Sequence, residues 1–455
     1  MSKNKSCDVL VIGSGLAGCC AAIEAHASGA NVLMIEKAPA DIPHGNTAFS
    51  GGAFRRTGAD YPPARFFADL IELSDGRADR QLARILVDES AKAQEWLEQQ
   101  GARFGLETAH STETAQTIDR GRGLAASIRK AVADRSIPCR HRTEALSFIR
   151  EDGRVAGITA RQSDGSETEL RADATILATG GFSANQEMVT RYIGAGARNL
   201  VLRGSPFNTG DGLRMAEAIG APLEWMDDFH GGLIHYGYKL HPEIGAAAGM
   251  RHLNGYEYGL LINRDGVRFV DEGENILEKT YVKFGKTIAL TQPGGFAFVV
   301  YDAQCRDKVD PVYAGPDSAP VEAPTLAALA AKIDVPEAAL LRTVASFNAG
   351  VRDGKNLDAK PPKSNFARRV DTSPFFAHKV TGGFTFTFGG VRARPTGEVL
   401  DAKGEWITGL FAAGEITTGI FYGNYAGGSS LPKCTIFGRM AGVAAARYAK
   451  HAAGA

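Results

Sequence analysis

Three glycines near the start of the chain have the spacing of a turn that binds phosphates. Gly13, Gly15 and Gly18 form the pattern G-x-G-x-x-G. The first glycine permits a tight bend, the second lets the backbone approach a pyrophosphate, and the third allows a helix to pack against a strand. Glu36 follows at roughly the 20-residue distance from which an acidic side chain accepts ribose hydroxyls. The pattern predicts a dinucleotide site and leaves NAD and FAD open.

The segments around these glycines have the pattern of a strand, a helix and a second strand. Residues 8–12 and 31–36 are short apolar runs, and residues 16–28 between them form an Ala-rich helix. The N-terminus of this helix is expected to face the phosphates. Helical periodicity returns at 79–100, and short strands separated by turn signals follow at 145–178. The expected fold class is α/β, or α+β overall, with a Rossmann-like nucleotide-binding domain.

Two elements near the C-terminus predict that this domain is discontinuous. Residues 408–413 form another apolar strand, and residues 435–448 form a helix rich in Ala and Gly. If both return to the first domain, the block before them is an inserted α+β capping domain. The predicted division is a first part of the nucleotide-binding domain, the capping domain and a second part of the nucleotide-binding domain, at residues 1–228, 229–386 and 387–455.

The composition excludes several classes of partner. Lys plus Arg and Asp plus Glu both number 51, so no net charge attracts nucleic acid or an anionic membrane. No apolar run reaches membrane-spanning length, so no integral membrane segment is expected. The cysteines lack the spacing of a metal site or a disulfide framework, which predicts free thiols in the cytoplasm and no metal. The cysteines are Cys7, Cys19, Cys20, Cys139, Cys305 and Cys434.

Segments far from the first glycines favour FAD over NAD. The run GLFAAGE at 409–415 resembles the second FAD contact of flavoproteins, and so does ATGG at 178–181. Further motifs are HGNTAFSGG (44–52), NTGDG (208–212), RFVDE (268–272), GG (389–390) and GGSSL (427–431). Together these segments resemble the fumarate reductase/succinate dehydrogenase flavoprotein family nearly from end to end. TYVK (280–283), TFTFGG (385–390) and FYGNYAGG (421–428) look most like its tricarballylate dehydrogenase branch.

The resemblance implies where FAD is held. It places Glu36 on the adenosine ribose, Asp211 and Glu415 near the ribityl and pyrophosphate groups, and the backbone of Ser430 and Leu431 at the pyrimidine edge of the flavin. The full set of implied FAD contacts is Gly13, Gly15, Leu16, Ala17, Glu36, Lys37, Asn46, Thr47, Ser50, Gly51, Gly52, Ala145, Thr179, Gly180, Asp211, Gly414, Glu415, Ser430 and Leu431. Family members with covalent flavin have His at the position of Asn46, so non-covalent FAD is expected.

The substrate residues of the fumarate reductases are missing from this sequence. Phe386 stands where they have a carboxylate-binding His, and Tyr425 stands where they have an Arg. Their proton-donating Arg falls here in the stretch 273–276, which reads GENI. A phenyl ring or a phenol cannot replace a bidentate guanidinium, so a plain C4-dicarboxylate substrate is disfavoured. Phe386 and Arg251 remain as candidate substrate contacts.

Tyrosines take the place of the missing groups. Tyr281 or Tyr422 is the candidate base, with His230 as a substrate-contacting residue at the start of the capping domain. In the 3-ketosteroid dehydrogenases a Tyr at the position of Tyr425 and a backbone N–H near the Gly-Gly pair polarise a carbonyl, which suggests Tyr425 with Gly390. A free phenol has a pKa near 10, so its use as a base near neutral pH costs about 4 kcal/mol. Nearby cations that could lower this cost are Lys279, Lys283 and Arg251.

The expected reaction is desaturation of a Cα–Cβ bond next to a carboxylate or ketone, with hydride transfer to flavin N5. A tricarballylate-like or alicyclic oxo acid is the expected substrate. Alternatives are a cyclic ketone or 3-ketosteroid-type desaturase, an ene-reductase of the fumarate reductase kind, and a non-redox flavin-dependent isomerase. The reduced flavin then needs an external electron acceptor, either an electron-transfer protein or oxygen.

Overall fold

The structure is a computed structural model that describes residues 5–105, 113–237, 252–309 and 319–454. The candidate substrate residue Arg251 lies outside these described residues. The strands are β1 Cys7–Ile12, β2 Val32–Ile35, β3 Ala53–Arg55, β4 Phe104–Gly105, β5 Thr114–Thr117, β6 Cys139–Arg140, β7 Glu144–Glu151, β8 Arg154–Arg161, β9 Glu167–Leu177, β10 Val201–Leu202, β11 Leu223–Glu224, β12 Phe229–His235, β13 Leu260–Asn263, β14 Ala297–Asp302, β15 Val321–Ala323, β16 Phe375–Thr387, β17 Gly390–Val391, β18 Glu398–Leu400 and β19 Trp406–Ala412. The α-helices are α1 Leu16–Ala27, α2 Gly45–Phe49, α3 Pro63–Leu73, α4 Arg80–Gln99, α5 Arg120–Asp134, α6 Gln186–Ile193, α7 Asp211–Ala218, α8 Tyr281–Thr291, α9 Leu326–Ile333, α10 Glu337–Gly350 and α11 Ser430–Gly454.

The first sheet combines strands from both ends of the chain. Its order is β18-β19-β9-β1-β2-β6, and β8 and β7 continue from β9 as an antiparallel meander. Strand β1 pairs in parallel with β2 and with β9, and β9 pairs in parallel with β19. The predicted β1–α1–β2 unit is confirmed, and so is the return of a C-terminal strand to it. The carboxyl ends of β1, β2 and β9 therefore meet at one edge, where such sheets bind ligands.

Helix α11 packs closely on α1 because glycines face it. A Cβ atom at Gly438 would lie 2.6 Å from the carbonyl oxygen of Ala17, and one at Gly442 would lie 2.2 Å from that of Ala21. The two helices share one buried core with residues of β1 and β2. Burial on both faces explains why β1 and β2 are continuous apolar runs rather than alternating ones.

The second sheet is built around the long strand β16. Its order is β10-β16-β14-β13, with β12 and β15 also pairing with β16. All of these strands except β10 fall within residues 229–387. The short β10 at Val201–Leu202 pairs in parallel with Gly383 and Phe384, so the second sheet recruits a strand from before the predicted start of the capping domain. The domain boundaries stay a prediction.

Several helix boundaries follow from identifiable caps. Helix α4 begins after Asp79, whose carboxylate accepts the N–H groups of Gln81 and Leu82 at 2.8 and 3.0 Å. Helix α11 begins at Ser430, before the start predicted from the Ala- and Gly-rich run, because Pro432 is tolerated in the first turn of a helix.

Within the described ranges, no helix combines the length and the apolar character needed to cross a bilayer.

Candidate active site

A cavity lies between the carboxyl edge of the first sheet and the second sheet. Its volume of about 340 Å³ falls in the range of sites for cofactors and small ligands. Nearly all of the predicted FAD contacts line this cavity. The exception is Gly414, which packs against α1, since a Cβ atom there would lie 2.7 Å from that of Ala17. The cofactor residues predicted from eight separate segments of the sequence thus share one space.

The glycine turn between β1 and α1 forms one wall of the cavity. Gly13 has φ of +104°, and a Cβ atom there would lie 2.4 Å from the carbonyl oxygen of Ala178. A Cβ atom at Gly18 would lie 2.0 Å from the carbonyl oxygen of Gly13. A Cβ atom at Gly15 would meet no atom of the described residues within 4 Å. Gly13 and Gly18 are therefore required by the fold, whereas Gly15 keeps space open at the N-terminus of α1.

Acidic and basic side chains mark the end of the cavity next to β2. Glu36 accepts hydrogen bonds from the backbone N–H and the hydroxyl of Ser14 at 2.9 and 3.0 Å, and from the N–H of Ala38 at 2.9 Å. Lys37 pairs with Asp211 at 2.5 Å. The carboxylate of Glu36 is thereby fixed beside the glycine turn, as expected of a residue that accepts ribose hydroxyls.

Glu415 is a half-buried residue whose carboxylate lines the cavity. It accepts hydrogen bonds from the side-chain amides of Asn46 at 2.7 Å and Asn208 at 3.0 Å, and from the N–H of Thr387 at 3.0 Å. Burial raises the pKa of Glu415, and these hydrogen bonds oppose the rise. Asn46 also accepts the N–H of Ser205 at 2.7 Å. Glu415 thus ties residues from four distant segments around the cavity.

The lining of the cavity fits FAD. The buried hydroxyl of Thr179, a predicted FAD contact, has no hydrogen-bond partner among the described residues and is available to a ligand. The open space at Gly15 faces the N-terminus of α1, whose backbone N–H groups and dipole favour phosphates. The first residues of α11, Ser430 and Leu431, form another wall of the cavity.

Lys433 is a buried cation on the same wall that sequence reasoning missed. Its ammonium group donates to the carbonyl oxygen of Thr417 at 2.6 Å and lies 5.6 Å from the ring centre of Phe421. The side chain lines the cavity and is 5% exposed. Burial lowers the pKa of Lys433 to about 8, because desolvation disfavours the charged form.

The lowered pKa of Lys433 predicts a pH-dependent stability of the FAD-free protein. Above about pH 8 the folded state has lost this proton while the unfolded state keeps it up to its ordinary pKa, so stability rises with pH in that window. We expect Lys433 to add up to about 1.4 kcal/mol per pH unit to the free energy of unfolding. Urea unfolding of the wild-type protein and of Lys433→Met at about pH 7 and about pH 9.5 measures the difference. An equal pH slope in both proteins would contradict the prediction.

The far end of the cavity holds a cluster of aromatic and imidazole rings. The hydroxyl of Tyr281 lies 2.9 Å from Nε2 of His230. The His230 ring is 5.0 Å from that of Phe386 and 5.3 Å from that of Tyr425, while the rings of His252 and Tyr281 are 5.0 Å apart. All five side chains line the cavity. The structure therefore brings together the predicted residues Tyr281, His230, Phe386 and Tyr425.

Close packing of α8 on β12 positions Tyr281 beside His230. A Cβ atom at Gly285 in α8 would lie 2.0 Å from the carbonyl oxygen of Gly231, so the helix and the strand are in backbone contact. Tyr281 is the first residue of α8 and His230 immediately precedes Gly231. A register shift between β12 and β16 sets the single residue His230 opposite Thr385 and Phe386. Such irregularities re-aim side chains, and they are frequent beside active sites.

Both histidines of the cluster are electrically neutral. Burial lowers the pKa of His230 and of His252 well below the ordinary range, and the positive charge of Arg203 lowers both further. Nδ1 of His252 lies 3.2 Å from the carbonyl oxygen of Leu233, which assigns the ring hydrogen to Nδ1. A neutral His230 can exchange a proton with the Tyr281 hydroxyl through Nε2.

The hydroxyl of Tyr425 is engaged at the start of α11. It accepts the backbone N–H of Ser430 at 2.9 Å and donates to the Ser430 hydroxyl at 3.1 Å. Burial raises the pKa of Tyr425, so the phenol stays protonated. The ring of Tyr425 faces the cavity while its hydroxyl holds the first turn of α11.

Two predicted catalytic groups lie away from the cavity. Tyr422 stacks under the guanidinium of Arg77, 4.0 Å from the ring centre, and its hydroxyl is 3.4 Å from Asp227. Gly390 pairs with Glu224 in a separate two-stranded sheet, and a Cβ atom there would lie 1.9 Å from the carbonyl oxygen of Ile416. Neither residue lines the cavity. The lining of the cavity thus does not support a role for Tyr422 or Gly390 in the reaction, and that role stays a prediction from the sequence.

The cations proposed to assist a tyrosine base have other partners. Lys279 pairs with Asp69 at 2.7 Å and Lys283 pairs with Glu274 at 2.7 Å. The described arginine that lines the cavity is instead Arg203, which no motif had singled out. It follows strand β10, and only the pairing of β10 with β16 brings it to the site. His252 was missed for the same reason, because its position depends on contacts with β12.

Comparisons with known proteins agree with this geometry. The sequence model of a family described as "FAD binding domain" matches residues 8–431. A fumarate reductase (cytochrome) of Shewanella frigidimarina is 31% identical over 463 residues, which cover 97% of this chain and 77% of that protein. The open conformation of a flavocytochrome c3 fumarate reductase superposes with a TM-score of 0.78 at 28% identity, covering 98% of this chain and 79% of the other.

A steroid-desaturating enzyme has a similar structure. The 3-ketosteroid-Δ4-(5α)-dehydrogenase of Rhodococcus jostii RHA1, in complex with 4-androstene-3,17-dione, superposes with a TM-score of 0.76 at 25% identity. The alignment covers 98% of each chain. Proteins similar to this chain thus include both a reductase and a dehydrogenase of carbon–carbon bonds.

Proposed function

Because this chain belongs to the FAD-binding family of fumarate reductases and related flavoproteins, we propose that it desaturates the Cα–Cβ bond beside a substrate carboxylate or ketone. It is an FAD-dependent oxidoreductase that acts on carbon–carbon bonds. The proposed substrate is a tricarballylate-like or alicyclic oxo acid. The alternative substrate class is a cyclic ketone, as in the 3-ketosteroid dehydrogenases.

The proposal is carried by the contact between Tyr281 and His230. Their 2.9 Å hydrogen bond lies in the same cavity as the predicted flavin-contacting residues. Desaturation requires a group that removes the proton next to the carbonyl carbon, and a phenol hydrogen-bonded to a neutral imidazole is such a group. Ile276 stands in the stretch where the fumarate reductases have their proton-donating arginine, so the pair replaces that group.

In the proposed reaction Tyr281 accepts the proton from the substrate Cα as its own hydroxyl proton moves to Nε2 of His230. The breaking Cα–H bond supplies the electron pair that forms the C=C bond. The residues of the glycine turn and of the cavity walls would hold FAD, which would supply the acceptor for the hydride that leaves the neighbouring Cβ. The rings of Phe386, Phe421 and Tyr425 line this end of the cavity and exclude water from the reacting carbons.

The residues proposed to hold FAD are those of the glycine turn and of the walls described above. Glu36 is assigned to the adenosine ribose, Glu415 to the ribityl region, and Ser430 with Leu431 to the pyrimidine edge. Asn46 has an amide where covalent attachment needs an imidazole, which supports non-covalent FAD. The proposed electron acceptor is an external one, either an electron-transfer protein or oxygen. The free thiols of all six cysteines support a cytoplasmic location.

An anaerobic substrate screen tests the proposed function. The holoenzyme is mixed with tricarballylate, an alicyclic oxo acid and a cyclic ketone, and the visible absorbance of the oxidised flavin is followed. We expect at least one saturated compound to bleach the flavin and to yield its α,β-unsaturated product. If unsaturated acids reoxidise the reduced flavin but no saturated compound reduces it, the enzyme is an ene-reductase. An isomerised product with an unchanged flavin spectrum would identify a non-redox isomerase.

A further inference from the structure

Arg203 directs a buried guanidinium into the substrate end of the cavity. The residue is 2% exposed, and its backbone N–H donates to the carbonyl oxygen of Phe384 at 2.7 Å. Its Nη1 donates to the hydroxyl of Thr385 at 3.0 Å. Thr385 immediately precedes Phe386, and both line the cavity together with His230. The guanidinium is thereby oriented beside the proposed catalytic pair.

Two glycines facing each other across the sheet make room for this side chain. Gly232 in β12 pairs with Gly383 in β16. A Cβ atom at Gly383 would lie 2.3 Å from Cδ of Arg203, and one at Gly232 would lie 3.3 Å from Nη1. Any larger residue at Gly383 would displace the arginine. The two glycines therefore form a gap in the sheet surface through which Arg203 reaches the cavity.

Arg203 adds a charged guanidinium to the end of the cavity that holds the two imidazoles. His230 and His252 are neutral, as their lowered pKa values require. Glu415, a half-buried residue that lines the same cavity, accepts hydrogen bonds from Asn46, Asn208 and Thr387. A planar guanidinium with fixed N–H groups matches a carboxylate in geometry and charge. The chemistry of this end of the cavity is thus that of an anion receptor with an adjacent proton acceptor.

We propose that Arg203 binds a carboxylate of the substrate. This inference rests on the proposed desaturation and narrows its substrate to carboxylic acids, in preference to neutral ketones. Arg203 would serve as the anion receptor that Phe386 and Tyr425 cannot provide. Burial, and after it the charge of Arg203, lowers the pKa of His230. A bound carboxylate would offset the second of these effects, so an acid substrate would assist its own deprotonation by Tyr281.

Binding measurements on the oxidised holoenzyme test the role of Arg203. Tricarballylate, succinate and cyclohexanecarboxylate are the anionic probes, cyclohexanone is the neutral probe, and the perturbation of the flavin spectrum reports binding. We expect Arg203→Gln to weaken the binding of the carboxylates by about 10- to 100-fold, the effect of losing hydrogen bonds to a charged group. Cyclohexanone binding should change less than about threefold. Arg203→Lys keeps the charge without the planar fork and should be intermediate.

Two further variants make the result independent of a folding defect. Thr385→Val keeps Arg203 but removes the hydroxyl that orients it, and should weaken carboxylate binding alone by about 3- to 10-fold. Arg198→Gln is the matched control, because Arg198 is an exposed arginine in the preceding 3₁₀ helix Ala195–Asn199. FAD content and urea unfolding establish that each variant is folded.

The inference is overturned if Arg203→Gln and Thr385→Val both bind the carboxylates as tightly as the wild type does. It is also overturned if the wild-type protein binds none of the three acids. Its failure is distinguishable from failure of the proposed function. If the acids bind through Arg203 but do not reduce the flavin, the carboxylate-binding role of Arg203 stands and desaturation is refuted. If cyclohexanone reduces the flavin equally in the wild type and in Arg203→Gln, desaturation stands and the carboxylate-binding role of Arg203 is refuted.

Discussion

Tyr281→Phe should lower the rate of flavin reduction by substrate about 10²- to 10⁴-fold, the contribution typical of a positioned acid or base. The variant removes the hydroxyl that lies 2.9 Å from His230 and leaves the ring, which packs at 5.0 Å from His252. FAD should therefore remain bound. Single-turnover stopped-flow mixing under anaerobic conditions measures the rate, using whichever acid or ketone reduces the wild-type enzyme.

Tyr422→Phe is the matched comparison, because the sequence offers Tyr281 and Tyr422 as alternative bases. The Tyr422 hydroxyl faces Asp227 outside the cavity, so its removal should change the same rate less than about threefold. A rate that falls in Tyr422→Phe and not in Tyr281→Phe would reverse the assignment. Unchanged rates in both variants would show that neither Tyr281 nor Tyr422 takes part in the proton transfer.

Gly15→Val should yield a folded protein that has lost FAD. A Cβ atom at Gly15 meets no atom of the described residues within 4 Å, and the φ of −68° is accessible to valine. The added methyl groups would instead occupy the open space at the N-terminus of α1, where the backbone must approach a pyrophosphate. We expect the FAD content of the purified protein to fall below about a tenth of the wild-type value, a loss of more than about 1.4 kcal/mol in binding.

Acid precipitation, which releases non-covalent flavin, measures the FAD content of this variant, and circular dichroism establishes its fold. Gly105→Val is the control, because this exposed glycine lies outside the cavity and, among the described residues, a Cβ atom there meets neighbours only at 3.8 and 3.9 Å. Gly18 is unsuitable for this test, because a side chain added there would clash with the carbonyl oxygen of Gly13 and disturb the fold. Full retention of FAD in Gly15→Val would show that the phosphates bind elsewhere.

The cofactor half of the site could be predicted because its signals are local. The glycines of the first turn, Glu36 after β2 and the glycine-acid pair before Ile416 each belong to a short motif whose chemistry is contained in its own few residues. A strand–turn–helix places such motifs at the carboxyl edge of a sheet whatever the rest of the chain does. Gly414 is the exception, because its positive φ of +87° serves the packing against α1 rather than the cavity.

The substrate half could not be predicted to the same degree because strand pairing creates it. Tyr422 and Tyr425 are three residues apart, yet one ring faces Arg77 and the other faces His230. Arg203 and Gly383 are distant in sequence and meet only through the β10–β16 pair. Motif and periodicity report which residues a segment contains, whereas these contacts depend on which segments become neighbours.

The packing of α11 on α1 implies an order of events during synthesis of the protein. Ser430, Leu431 and Lys433 complete the wall of the cavity, whereas the second sheet already ends at Thr387. A nascent chain on the ribosome can thus close the second sheet before it has a complete cofactor cavity. Until β19 and α11 emerge, one edge of β9 and the apolar face of α1 remain uncovered and are exposed to chaperones or to aggregation. We therefore expect FAD to bind only after α11 has been translated.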